Sequence, residues 1–157
     1  MSVVDITDDQ DERMKHLWQF TLWPRQWQSY QSEPPYQWEM YKLIESERQN
    51  IPDSAGVYTI IVQPQVFTHP ACMYLMYAGK SRSLRRRFGE YLNERSRRTG
   101  RPKLLRVLNK YPDHTWFCFS VVPEARISSV EDALLSAYIP PCNDRFPAPI
   151  SRIGDAF

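Results

Sequence analysis

Five side chains in the middle of the chain have types and an order that suit phosphate chemistry. Tyr58 and Tyr77 lie in two apolar segments, Arg87 follows ten positions after Tyr77, and Glu131 and Asn143 are twelve positions apart. The planar guanidinium of an arginine matches a phosphate, and a single carboxylate suits Mg²⁺ or Mn²⁺, because Mg²⁺ keeps several of its waters. A phenol with an ordinary pKa of about 10 activates water at neutral pH only where nearby cations favour the phenolate. The set indicates a site for a phosphate, a water and a hydrated cation.

Each of these side chains also has an ordinary structural interpretation when taken alone. Buried tyrosines are common in strands, and an arginine in a run of three is usually a solvated charge. A glutamate near a helix start is commonly placed there by the helix dipole. Glu131, however, is predicted to share a helix face with Leu134 and Leu135, where a lone carboxylate is costly unless it is paired or holds a metal.

The charge of the chain is asymmetric, although the formal net charge is only +2. Residues 1–53 carry 10 acidic and 5 basic side chains and residues 54–157 carry 8 and 15, which gives −5 and +7. The basic run from Lys80 to Lys110 is either a solvated helix face or a surface for a polyanion, whose binding releases counterions. The candidate nucleic-acid-binding residues are Lys80, Arg82, Arg85, Arg86, Arg95, Arg97, Arg98, Arg101 and Lys103.

Three strands are predicted, and two of them carry Tyr58 and Tyr77. Residues 56–62 are rich in β-branched and aromatic residues, and residues 71–79 form a second apolar run. We expect the two segments to pair as an antiparallel hairpin. Residues 114–122 are apolar on both faces, as a central strand is. The two tyrosines can then point to the same face of the sheet.

Four predicted helices complete an α+β domain. They cover residues 38–49, a basic amphipathic segment that begins at Ser81 or Ser83 and ends before Gly100, residues 103–111 and residues 128–138. Ser129 and Asp132 form an S-x-x-D capping pattern, which predicts that the last helix begins beside them and that Glu131 lies in its first turn.

The predicted domain spans residues 51–145, between an N-terminal extension (1–50) and an irregular C-terminal tail (146–157). The extension is acidic at first and then rich in tryptophan and proline, with four of the five tryptophans between Trp18 and Trp38. Its rings either cover the domain surface or stack on splayed bases, and they would also suit a partner protein or a second copy of the chain.

The composition excludes several classes of protein. The apolar runs are too short to span a bilayer and the acidic N-terminus does not resemble a signal peptide, so we expect an intracellular protein without a membrane segment. Cys72, Cys118 and Cys142 are odd in number and contain no C-x-x-C pair. Reduced thiols are therefore expected, rather than a disulfide framework or a zinc module.

The motifs and their spacing resemble the GIY-YIG nuclease family. GVY at residues 56–58 stands for the GIY motif, and YAG at residues 77–79 stands for YIG. The segments YAGKSRSLRRRFGEYL (77–92) and VEDALLSAYIPPCN (130–143) are similar to the forms found in the incision subunit of bacterial excision repair. The match covers residues 52–145 and implies the family's fold, a small mixed three-stranded sheet flanked by helices.

The resemblance also implies roles for single residues. Tyr58 would be the general base or would orient the attacking water, Lys80 would join Arg87 as a cation, and Glu131 would hold Mg²⁺ or Mn²⁺. Tyr91 would lie near the cleaved phosphate, and Asn143 would hold either the metal-side network or the backbone after the last helix. The implied catalytic residues are Tyr58, Tyr77, Lys80, Arg87, Tyr91, Glu131 and Asn143.

The activity so implied is a divalent-metal-dependent endonuclease that hydrolyses phosphodiester bonds, with double-stranded DNA as the expected substrate. A stand-alone restriction-type, phage or mobile-element nuclease fits best, and a structure-specific repair nuclease is an alternative. Two further hypotheses stay open. One is a catalytically inactive nucleic-acid-binding module of the same fold, and the other is a protein-interaction domain that uses the N-terminal extension.

Overall fold

The computed structural model describes residues 14–29, 36–64, 73–148 and 150 and confirms an α+β architecture. Its strands are β1 (Glu39–Lys42), β2 (Gly56–Val62), β3 (Tyr74–Ser81) and β4 (Thr115–Val121). Its helices are α1 (Pro24–Ser29), α2 (Leu84–Arg97), α3 (Pro102–Lys110) and α4 (Ile127–Tyr138), with 3₁₀ turns at Glu45–Asn50 and Glu124–Arg126. Within those described ranges, no helix has the length and apolar character needed to cross a membrane.

The strands form one sheet in the order β1-β4-β2-β3, and every neighbouring pair is antiparallel. The prediction of a mixed three-stranded sheet was therefore wrong in strand number and in direction. The three predicted strands are present, and β4 is an interior strand, as its two apolar faces indicated.

The fourth strand lies where a helix was predicted over residues 38–49. Residues 39–42 instead pair with β4, and Leu43 N–H donates to the carbonyl of Thr115 at 3.0 Å. The helical spacing of Met40, Leu43 and Ile44 was a weak local signal, and the open backbone edge of β4 gives this segment a better set of hydrogen bonds. Only the 3₁₀ turn at Glu45–Asn50 remains helical.

The sheet separates two apolar clusters, because side chains alternate between its faces. On one face Tyr58, Ile60 and Tyr77 pack with residues of α2 and α3, such as Phe88 and Leu108. On the other face Val57 and Ala78 pack with Val130 and Leu134 of α4. One face of the sheet is therefore covered by α2 and α3 (the α2/α3 face) and the other by α4 (the α4 face). Each functional side chain on β2 or β3 lies on one of these two faces.

The two helices that border the site begin differently. The hydroxyl of Ser83 accepts a hydrogen bond from Arg86 N–H and caps α2, one of the two predicted choices. In contrast, α4 begins at Ile127 without a side-chain cap, and Ser129 Oγ donates to the carbonyl of Arg126 at 3.0 Å. The predicted capping pattern was wrong, because the 3₁₀ turn at Glu124–Arg126 leads directly into the helix and starts it earlier.

The described part of the N-terminal extension contacts the domain. Trp18 packs against the α2/α3 cluster and Tyr36 against the α4 cluster, while Phe20 lies 5.8 Å from Tyr74 between ring centres. The acidic residues 1–13 and most of the proposed tail lie outside the described residues. Cys118 and Cys142 are free thiols, and Cys72 falls outside the described ranges.

Candidate active site

Tyr58 lies at the centre of an aromatic cluster on the α2/α3 face. Its ring stacks on Phe117 with 4.9 Å between ring centres and lies 6.2 Å from the ring of Tyr77. The hydroxyl oxygens of Tyr58 and Tyr91 are 2.7 Å apart. The two strand tyrosines thus share one face, as their positions on an antiparallel hairpin predicted, and α2 brings a third phenol to them.

Gly79 makes room for the Tyr58 ring. It is the cross-strand neighbour of Tyr58, and a Cβ atom at Gly79 would lie 2.5 Å from the Tyr58 hydroxyl oxygen. The ring is held by its stacking on Phe117 and cannot move aside freely. The glycine of the YAG motif is therefore required by a close approach across the hairpin.

Burial decides the protonation of these phenols. It raises the pKa of Tyr58 above its ordinary value, and the neighbouring Tyr77 adds to the rise. Arg87 and the hydrogen bond with Tyr91 lower this pKa, but by less than burial raises it. Burial also raises the pKa of Tyr91. Of the two cations that were candidates for favouring a phenolate, Arg87 lowers this pKa but does not offset burial, so the hydroxyl keeps its proton at neutral pH.

Arg87 projects from α2 toward the phenols and is about half buried. One of its terminal nitrogens pairs with Glu90 Oε2 at 2.7 Å, while its Nε atom is buried and has no hydrogen-bond partner among the described residues. Its charge acts on both Tyr58 and Tyr91. Register on α2 thus separates Arg87 from Arg86, which is exposed and pairs with the other Glu90 oxygen at 3.3 Å.

Lys80 and Glu131 form an ion pair at the border of the same region. Their Nζ and Oε2 atoms are 2.9 Å apart, and the Glu131 side chain is 17% exposed. Lys80 Nζ also donates to Ser128 Oγ at 3.2 Å. The carboxylate is therefore balanced by a lysine from β3. Its negative charge is the smallest of the causes that raise the pKa of Tyr58.

The donor chemistry around Glu131 fits a hydrated divalent cation. Among the described residues there is no cluster of three or more histidine, cysteine, aspartate or glutamate side chains that could hold a metal. A lone, partly accessible carboxylate suits Mg²⁺, which binds through one or two carboxylates and retains waters. Glu131 is thus the one residue of the predicted set that could hold it.

Asn143 holds the edge strand β3. Its Oδ1 accepts from Ala78 N–H and its Nδ2 donates to the Ala78 carbonyl, both at 2.9 Å. Next to it, Cys142 N–H donates to the carbonyl of Met76 at 2.9 Å. The side chain thus binds the backbone between Tyr77 and Gly79, rather than the backbone after α4 that was one of its two predicted partners.

Two of the candidate nucleic-acid-binding arginines are engaged inside the chain. Arg85 Nε donates to the carbonyl of Ile51 and Arg95 Nη1 donates to the carbonyl of Leu43, each at 2.8 Å. Both hold the segment around β1 and the following 3₁₀ turn against α2. The candidates with exposed side chains are Arg82, Arg86, Arg97, Arg98, Arg101 and Lys103.

Arg101 has a contact that the sequence did not reveal. Its Nη1 atom donates to the Tyr77 hydroxyl at 2.6 Å, and its guanidinium lies 5.5 Å from the centre of the Tyr77 ring. Lys103 pairs with Asp144 at 3.1 Å. Sequence reasoning placed Arg101 among general nucleic-acid contacts, and neither its position before α3 nor its spacing from Tyr77 carried a signal of this pairing.

Comparison with known proteins gave structural likenesses alone, since no family model and no curated protein matches the chain. A point mutant of the GIY-YIG N-terminal endonuclease domain of UvrC from Thermotoga maritima, bound to its catalytic divalent cation, is 22% identical with a TM-score of 0.46, over 67% of this chain and 99% of that chain. The same domain bound to magnesium is 21% identical with a TM-score of 0.44, over 66% and 98%. A second point mutant with the cation is 24% identical with a TM-score of 0.44, over 65% and 99%. The function of this chain must follow from its own residues.

Proposed function

We propose that this protein is a divalent-metal-dependent endonuclease that hydrolyses phosphodiester bonds in DNA. The observation that carries the proposal is the convergence of three kinds of group on one region. They are the hydrogen-bonded phenols of Tyr58 and Tyr91, the half-buried guanidinium of Arg87, and the partly accessible Glu131. Phosphodiester hydrolysis needs an oriented water, a cation at the phosphate and a place for a metal, and these groups match that list.

The proposed roles follow from the environment of each side chain. Arg87 binds the phosphate undergoing cleavage, because its half-buried guanidinium already holds a positive charge beside the phenols. Tyr58 and Tyr91 stay protonated and orient a water through hydrogen bonds, since burial raises the pKa of both. Glu131 would hold Mg²⁺ or Mn²⁺, which when bound supplies charge neutralisation at the phosphate.

DNA as the substrate is supported by the charge distribution. The exposed Arg82 and Arg86 line a pocket together with Lys80 and Arg87, and the chain beyond residue 53 has a formal charge of +7. A duplex offers such a surface a regular line of phosphates. A restriction-type, phage or mobile-element role belongs to the same proposal and depends on which DNA is cut. Digestion of defined single-stranded, double-stranded and branched DNA, with the ends mapped, would distinguish this role from a repair role.

A nicking assay on supercoiled plasmid tests the proposal. We expect the wild-type protein to nick the plasmid with Mg²⁺ or Mn²⁺ and to stop when EDTA is added. Glu131→Gln should lose activity, whereas Asp132→Asn, an exposed neighbour on α4, should not. Cleavage that continues in EDTA would contradict the metal assignment.

A catalytically inactive nucleic-acid-binding module is the second candidate. It is favoured by the complete burial of the Tyr58 hydroxyl region and by the closed Lys80–Glu131 pair, both of which are compatible with a fold kept for binding. The same plasmid assay separates the two candidates, because a binding module would retard the plasmid in a gel without nicking it under any metal condition.

A further inference from the structure

An open pocket of about 640 Å³ lies beside the candidate active site. The end of β3, the first turn of α2 and the start of α4 surround it. Among the described residues that line it, four have cationic side chains, namely Lys80, Arg82, Arg86 and Arg87, and Glu124 is the one acidic residue. Lys80 and Arg87 also belong to the active site, so the pocket and the site are continuous.

Arg82 and Arg86 are held differently from the arginines that stabilise the fold. Arg82 Nε pairs with Glu124 Oε1 at 2.8 Å, and Arg86 Nη1 pairs with Glu90 Oε1 at 3.3 Å. Their side chains are 79% and 63% exposed. Arg85, in contrast, donates to a backbone carbonyl from a partly buried position. Exposed ion pairs contribute little to stability, so these two guanidiniums can exchange their carboxylates for another anion without cost to the fold.

The chemistry of that anion follows from the guanidiniums and from the neighbouring site. A planar guanidinium binds phosphate oxygens as readily as carboxylate oxygens, and a carboxylate that pairs with it occupies the place that a phosphate would take. The opening is continuous with Arg87, where the cleaved phosphate would bind, so a strand that reaches Arg87 would carry its next phosphate into the pocket.

We infer that this pocket binds a backbone phosphate of the DNA adjacent to the one that is cleaved. Arg82 and Arg86 are positioning residues that fix the strand relative to Arg87, and Glu124 holds Arg82 in place until the phosphate replaces it. The inference rests on the proposed function for the identity of the strand. It goes beyond that function because it assigns two arginines and a carboxylate to a step separate from bond cleavage.

The first test is DNA binding without metal, measured by fluorescence anisotropy of a labelled duplex in EDTA over a series of salt concentrations. Arg82→Gln and Arg86→Gln should each weaken binding about tenfold. Each should also make the negative slope of the logarithm of the association constant against log salt shallower by about one. Lys110→Gln, which removes an exposed charge at the end of α3, is the matched control and should leave both nearly unchanged. Unchanged melting curves would show that the variants fold.

Glu124→Gln separates phosphate binding from a merely structural ion pair. It frees Arg82 for the phosphate, so binding should tighten about threefold in the wild-type background but not in Arg82→Gln, whereas a general loss of negative charge would tighten binding in both. The inference is overturned if Arg82→Gln and Arg86→Gln bind as Lys110→Gln does, or if Glu124→Gln does not bind more tightly. Because binding is measured without metal, the pocket inference and the proposed nuclease function are tested separately. The wild-type protein could cleave DNA although the pocket binds no phosphate, and the pocket could bind DNA that the protein does not cleave.

Discussion

Tyr58 is a buried phenol, and its environment sets a limit on the chemistry it can perform. Burial raises its pKa, so the hydroxyl stays protonated well beyond neutral pH. The GVY motif identified the position from the sequence. The protonation state did not follow from it, since that state depends on burial of the ring by distant residues such as Phe117.

The pH dependence of cleavage tests this limit. We expect Tyr58→Phe to lower the rate about 100-fold, by loss of a hydrogen bond to the water, and to leave the shape of the pH–rate profile unchanged between pH 7 and about 9.5. A rise of the wild-type rate with pH in that range that disappears in Tyr58→Phe would show that a phenolate is the base and would contradict the account.

The same raised pKa has a consequence for stability. A group whose folded pKa lies above its unfolded value, here about 10, contributes stability that is complete below the unfolded pKa and is lost as the pH rises through the folded pKa. The free energy of unfolding of the wild-type protein should therefore fall above about pH 10, and by less in Tyr58→Phe. Urea denaturation over an alkaline pH series measures it, and an equal fall in both proteins would contradict the expectation.

Gly79 gives a second prediction at the residue scale. Gly79→Ala places a Cβ atom 2.5 Å from the Tyr58 hydroxyl oxygen, so the stacked ring must shift. We expect a loss of about 1–3 kcal/mol in the free energy of unfolding together with a loss of cleavage. Denaturant unfolding and the plasmid assay measure the two effects.

Gly89→Ala is the matched control for this change. A Cβ atom there would meet the guanidinium of Arg48 at 2.6 Å, but this is the end of a flexible side chain that can move away. Alanine also suits a helix interior better than glycine, by about 0.5–1 kcal/mol. If Gly89→Ala harmed cleavage as much as Gly79→Ala, the close approach of Gly79 to Tyr58 would not explain the motif glycine.

At the scale of elements, the sequence predicted those helices and strands that depend on local residue patterns. The hairpin of β2 and β3, the basic helix α2 and the interior strand β4 follow from composition, alternation and a Ser83 cap. The strand β1 could not be predicted, because its backbone partner is the distant β4. The start of α4 was misplaced because the S-x-x-D pattern is a local signal that the preceding 3₁₀ turn overrides.

Asn143 covers the free edge of β3, and its replacement is therefore expected to destabilise that strand. Asn143→Ala leaves the buried N–H and carbonyl of Ala78 without their partners and should cost about 2 kcal/mol of unfolding free energy. Because Ala78 lies between Tyr77 and Gly79, cleavage should fall as well. Denaturant unfolding and the plasmid assay measure both effects.

Asn109→Ala serves as the control for Asn143→Ala. Asn109 is exposed on α3, and its Nδ2 donates to the carbonyl of Leu105 within the same helix. Its replacement should change stability by no more than about 0.5 kcal/mol. Equal effects of the two changes would mean that Asn143 does not secure β3.

At the scale of the whole molecule, the sheet brings groups from its two faces to one region. Tyr58, Tyr77 and Tyr91 belong to the α2/α3 face, whereas Lys80 reaches Glu131 on the α4 face. That these residues form one catalytic site stays a prediction from the motifs, and the ion pair between Lys80 and Glu131 did not follow from the sequence. Spacing along the chain indicates which residues could form a site. The hydrogen-bond or ion-pair partner of each residue depends on how the helices and strands pack.

The described aromatic rings of the N-terminal extension pack on the domain. Trp18 and Tyr36 cover the two apolar clusters, which supports the interpretation that its rings complete the core. A homodimer or a partner protein bound through this extension stays a prediction. Light scattering of the full chain, alone and with DNA, would test the dimer.

The central claim is that Glu131 is the metal-holding carboxylate of a nuclease, and single-turnover cleavage of a DNA substrate by Glu131→Gln tests it most directly. With DNA binding checked to be intact in the same samples, we predict a rate at least about 100-fold below wild type. Asp132→Asn, which changes an exposed carboxylate beside it, should cut at nearly the wild-type rate. Cleavage by Glu131→Gln at the wild-type rate in Mg²⁺ would contradict the account.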